Sequence, residues 1–173
     1  MLIRSVVCDS RILVGLIWWS LPWVASALIA ATVLSAITSL APSALADPAA
    51  NFKDAVASAR GETSCKPLQY NAVVEQAAEV INRSTDAYLN HVATRVPIDD
   101  PREVLEGLKD LGYRATKAIL LRGASRSEAL AIKGALLEGY AAIPDCSYTD
   151  FGLNVRRNEA NGYILTSLVL AGP

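Results

Sequence analysis

The helical period of apolar and polar positions is clearest between Asn71 and His91. Advancing about 100° per residue, Val74, Ala77, Ala78, Ile81, Thr85, Tyr88 and Val92 fall on one stripe. Glu75, Glu79, Asn82, Arg83, Asp86 and Asn90 fall opposite it, so the pattern predicts one face against a core and one in water. Asn71 suits the N-cap, Glu75 complements the dipole in the first turn, and Pro97 ends the helix. His91 comes at the edge of the stripe, beside Val80 and Ser84.

Shorter segments follow the same logic. Phe52, Val56 and Ala59 share a face between Asp47 and Gly61, and Pro67 bars any continuation of that helix. Asp99-Asp100-Pro101 supplies a cap and a proline at the first helical position. Val104, Leu105, Leu108 and Leu111 then form a buried side, and Gly112 stops the helix. Residues 113–122 read either way, because Ala118-Ile119-Leu120-Leu121 suits a short buried strand or a turn of helix. Ser125 with Glu128 makes a capping box for a helix with Leu130, Ala131, Leu137, Tyr140 and Ala141 on one face, closed by Pro144. The period then changes to two: Phe151-Gly-Leu-Asn-Val alternates, Asn161-Gly162 is a hairpin turn, and Tyr163 to Ala171 is β-rich. Three or four helices and a C-terminal β-hairpin in a small antiparallel sheet make an α+β fold.

Upstream of Asp47 the pattern is of another kind. Arg4 and Arg11 precede an apolar run from Ile12 to about Leu40, and no charge occurs between Arg11 and Asp47. Ala44-Leu45-Ala46 before Asp47 has the form of an export cleavage site, so residues 1–46 read as a signal peptide and residues 47–173 as the mature domain. The run is long enough to span a bilayer, with Trp18, Trp19 and Trp23 near its start, so a retained anchor is the alternative. No cysteine follows the run where a lipid anchor would need one. Without Arg4, Asp9 and Arg11 the mature chain carries 14 basic and 16 acidic residues. Nothing in that balance favours nucleic acid or an anionic surface.

Cys65 and Cys146 are the two cysteines of the mature chain, and export places them in an oxidising compartment. The expectation is a disulfide between them, because a closed metal site would need two further ligands. Candidate chemistry is otherwise sparse. His91 is the only histidine, the serines sit in no nucleophile elbow, and Asp99-Asp100 before Pro101 reads as a helix cap. No phosphate loop, dinucleotide fingerprint or metal-ligand cluster occurs, so no cofactor is expected. Asn82-Arg83-Ser84 matches a glycosylation sequon by coincidence on a helix.

Taken together, Arg60, Pro67-Leu68, Ala77-Ala78 and His91, with Tyr148-Thr149-Asp150-Phe151-Gly152-Leu153 before the last strand, resemble the CAP superfamily. That family groups the cysteine-rich secretory, antigen 5 and pathogenesis-related proteins, and the chain is also similar to short exported mycobacterial proteins. The resemblance implies an α-β-α sandwich and, in some members, sterol or fatty-acid binding. Ala57 stands where the family has an asparagine. Of the two histidines and two acids that the family brings to its cleft, only His91 has a counterpart. Residues 116–124 read TKAILLRGA and residues 141–150 read AAIPDCSYTD, without the expected acid and second histidine. The expectation is therefore a secreted, monomeric, non-enzymatic binding protein with a chemically empty cleft. Its ligand would be a small apolar molecule or an envelope or host protein, with His91 as the candidate ligand contact. The alternatives are a membrane-anchored structural envelope protein and a weak hydrolase using His91.

Overall fold

The computed structural model describes residues 47–95 and 100–173. The expected export segment with Ala46, and Pro97 and Asp99, lie outside the described residues; Asp47 lies within them. In chain order the elements are α1 (Pro48–Gly61), β1 (Gln69–Tyr70), α2 (Ala72–Leu89), α3 (Pro101–Asp110), β2 (Lys117–Ser125), α4 (Glu128–Glu138), β3 (Asp150–Arg157) and β4 (Ile164–Gly172). The ambiguous stretch before Arg122 is thus a strand.

The helix starts follow their side chains. Asp47 Oδ1 accepts from the Ala49 N–H, Asn71 Oδ1 from Val73 and Val74, and Asp100 Oδ1 from Arg102. Pro48 and Pro101 occupy the first helical positions, where no N–H is needed. For α4 the expected capping box does not form. Ser127 is the N-cap without a side-chain bond, Ser125 Oγ accepts from Ser127 N–H, and Glu128 instead accepts from Asn51 Nδ2 on α1.

The four strands lie in the order β1-β3-β4-β2. β4 pairs antiparallel with both β2 and β3, while β1 adds a two-residue parallel rung to β3. With neighbours on both edges and helices on both faces, β4 is buried from Leu165 to Gly172. Its alternation divides the core. Leu168 and Leu170 join Phe52, Val56, Ile132, Ala135, Phe151 and Leu153 beneath α1 and α4. Val169 and Ala171 join Val74, Ala78, Ile81, Val104, Leu108 and Leu120 beneath α2 and α3. The result is the expected α-β-α sandwich.

Gly152 sets the distance of α2 from the sheet: a Cβ there would lie 2.0 Å from the Glu75 nitrogen and 2.3 Å from the Val74 carbonyl carbon. Only glycine permits that approach of backbone to backbone. Gly123 does the same for α4, since a Cβ there would lie 1.9 Å from the Ala131 carbonyl oxygen.

Two helix faces depart from what their periodicity predicts. On α4 the buried residues are Ala131, Ile132 and Ala135, whereas Leu130 and Leu137, with Tyr140 just after the helix, are 59%, 62% and 78% exposed. The close approach at Gly123 admits the small face of α4 and turns the large one outward. On α2, Asn82 is buried rather than solvated. Its Nδ2 donates to Asn154 O, Asn154 Oδ1 and Leu165 O, and its Oδ1 accepts from Ser167 Oγ. The sequon nitrogen is therefore fully engaged within the fold.

Candidate functional site

Two loops join the helical layers to the sheet, and Arg60 ties them together. From the last turn of α1 its buried guanidinium donates to Lys66 O at 2.9 Å, Asp145 O at 3.0 Å, Tyr148 O at 2.9 Å and also Ile143 O. Burial draws its pKa down from the ordinary arginine value, against the field of Asp145. Cys65 and Cys146 join the same two loops as a disulfide with Cα atoms 5.0 Å apart. Lys117 Nζ reaches Asp145 Oδ2 at 2.8 Å, also bonds Ser147 Oγ, and lies 3.9 Å over the Tyr148 ring. Hydrogen bonds from Lys117 and Ser147 hold the Asp145 carboxyl well below the usual carboxylate range.

Beside this tie lies a cavity of about 140 Å³, lined by Lys53, Val56, Ala57, Arg60, Pro67, Leu68 and Phe151 among others. It is apolar apart from the heads of its two cations, of which Arg60 donates to four carbonyls. Ala57, where the resemblance led to an asparagine, contributes only a methyl group to the wall.

A second, open groove of about 350 Å³ runs along the far half of β2. Asn82 and Thr85 of α2, Arg122 to Ala124, Glu138, Leu165 and Thr166 line it. The Glu138 carboxylate accepts the Arg122 backbone N–H. This groove carries an acid and a cation, Glu138 and Arg122, that motif spacing did not indicate. Arg122 lies within residues 116–124, where the family's acid was sought, and Glu138 lies outside both stretches.

No protein-family model matches the sequence, and no curated protein matches it. Solved structures do. A cysteine-rich secretory protein of Staphylococcus aureus superimposes with a TM-score of 0.51 at 15% identity, over 73% of this chain and 38% of that one. An extracellular protein containing an SCP domain from Bacillus anthracis gives 0.53 at 14% identity, over 73% and 40%. An outer surface protein of Borrelia burgdorferi gives 0.57 at 9% identity, over 72% and 92%. The fold is that of the SCP, or CAP, domain. The chain spans about two-fifths of the staphylococcal and bacillus proteins.

Within this SCP fold His91 stands apart from both sites. α2 ends at Leu89, and Asn90 caps it with its side chain held by Asn158 Nδ2 at 2.9 Å. His91 follows in the left-handed region at φ 57° and is exposed, and Val92, expected on the apolar stripe, is 81% exposed. The helix stops early because Asn158, on the loop after β3, also bonds Asp86 and fixes the last turn. His91 lines neither the cavity nor the groove. No group of three or more histidine, cysteine or carboxylate side chains that could hold a metal ion occurs among the described residues.

Proposed function

We propose that the protein is exported and acts by binding, holding one end of a small apolar molecule in the cavity between α1, the loop at residues 62–68 and β3. The cavity carries this reading. Its volume of about 140 Å³ is close to that of a cavity of about 150 Å³ that holds benzene, and its wall is Val56, Ala57, Pro67, Leu68 and Phe151. Sites that enclose a whole drug-sized ligand begin near roughly 300 Å³. A single ring or the end of an acyl chain fits, and a fully enclosed sterol does not. Lys53 beside the opening suits a carboxylate on the outer end of such a ligand. Export is supported by Ala44-Leu45-Ala46, by the joined Cys65 and Cys146, and by a fold shared with proteins described as secretory, extracellular and outer-surface.

Native mass spectrometry of protein recovered from its own host tests this directly. The expected result is a chain starting at Asp47 without free thiols and with a retained apolar ligand. Turnover on ester, peptide or peptidoglycan substrates that is abolished by His91→Ala would contradict the non-catalytic reading. A second reading, an envelope protein held by uncleaved residues 12–40, is favoured by the exposed Leu130 and Leu137 on α4 and Tyr140 just beyond it. A mature N-terminus at Asp47 excludes it.

A further inference from the structure

Packing on Gly123 leaves the large side chains of α4 in water. Leu130 and Leu137 lie two turns apart on one exposed stripe, and Tyr140 extends it just past the helix end. A single exposed leucine needs no explanation, but a continuous apolar stripe marks an interaction surface. The charges around this stripe are sorted by sign. Both acids of α4 are engaged at its flanks: Glu128 Oε1 accepts from Asn51 Nδ2 at 2.7 Å, and Glu138 accepts the Arg122 backbone N–H. Lys133, between the two leucines, is exposed and has no ion-pair partner among the described residues. Arg126, also exposed, precedes the helix with its guanidinium 5.5 Å over the Tyr163 ring. In the same layer α1 exposes Asp54 and Glu62 against Lys53, so the excess of cations belongs to α4 alone. The near-neutral charge of the whole chain conceals this sorting.

We infer that this face of α4 seats on a lipid surface carrying anionic headgroups. Leu130 and Leu137 enter the boundary between headgroups and acyl chains, where a helix with an apolar stripe and basic neighbours lies in the plane of the membrane. Tyr140 keeps its ring at the level of the headgroups and its hydroxyl in water. Lys133 and Arg126 meet the anionic headgroups, and each basic side chain so placed raises affinity about fivefold. A second copy of this chain fits the face less well. A two-fold pairing that sets each Leu130 on the other copy's Leu137 brings both Lys133 side chains to its centre. Leu130, Leu137 and Tyr140 also fall far short of the roughly 20–30 residues a side that a stable interface uses. The contact requires neither a retained apolar run nor an occupied cavity, so it stands or falls apart from both.

The test places isotope-labelled full-length protein on nanodiscs of mixed phosphatidylglycerol and phosphatidylcholine, with a nitroxide near the top of the acyl chains. Broadening of the Leu130 and Leu137 methyl signals and of the Tyr140 ring is expected. The methyl signals of Val92, exposed just after α2 on the other face of the sheet, stay sharp. Replacing both leucines, Leu130→Glu with Leu137→Glu, changes only exposed positions and removes the broadening of the Tyr140 ring. Lys133→Ala lowers the broadening about fivefold on the mixed disc, and phosphatidylcholine alone lowers it at least as far. Sharp signals at Leu130 and Leu137, equal broadening at Val92, or equal broadening on the two lipid compositions overturns the proposal. So does a concentration-dependent dimer that the double variant abolishes, which would assign the face to a second copy.

Discussion

The two sides of the sheet are closed by different means. On the α2–α3 side the helix backbone lies directly on Gly152, and Asn82 stitches α2 to β3 and β4 through buried hydrogen bonds. On the α1–α4 side α4 likewise lies on Gly123, but α1 is held by cross-links at one end, the Cys65–Cys146 disulfide and the Arg60 guanidinium. Direct backbone contact leaves no room for a void at Gly152 or Gly123 themselves. Bracing at the margin leaves the cavity beneath Ala57 and Leu68. The side that can hold a ligand is therefore the side that depends on its braces.

The largest expected effect is on the braced side. Replacing both Cys65 and Cys146 by serine opens a closed loop with a sequence separation of 81, worth about 4–5 kcal/mol on the chain-entropy model. Chemical denaturation should show that loss with the fold retained by Arg60; an unchanged midpoint would mean that Arg60 alone braces the loops. Next comes Gly152→Ala, which pushes a methyl group into the backbone of α2. About 3 kcal/mol should be lost, and a smaller loss than for an exposed glycine would show that α2 is not seated as described. Asn82→Leu strips partners from Asn154, Leu165 O and Ser167 and should cost about 2 kcal/mol, less than Gly152→Ala because the adjoining groove admits water. The smallest effect has the opposite sign. His91→Gly relieves a left-handed backbone and should raise stability by about 0.5 kcal/mol; a destabilised variant would reveal a role for the imidazole.

The parts of the fold governed by local chemistry were legible along the chain. Asn71, Asp100 and Pro101 cap helices wherever they stand, Gly162 adopts φ 76° in its turn, and the β-rich run of residues 163–171 marks the buried strand β4. The parts set by distant partners were not. α2 stops at Leu89 because Asn158 binds Asp86 and Asn90 across about 70 positions of sequence, and Asn82 is buried because Asn154 and Ser167 await it. The outward turn of Leu130, Leu137 and Tyr140 follows from a glycine on another element. Of the site residues, the disulfide pair was readable from export and cysteine number, whereas Glu138 and Arg122 meet only through the packing of α4 on β2.

Binding at the braced side is most directly tested at Ala57, whose exposed position on α1 lets a large side chain enter the cavity mouth without disturbing the core. Calorimetric titration with octanoate should give saturable binding to the full-length protein and at least a tenfold loss in Ala57→Trp, with the thermal midpoint of both proteins alike. Equal binding by Ala57→Trp, or none by either protein, would contradict the account.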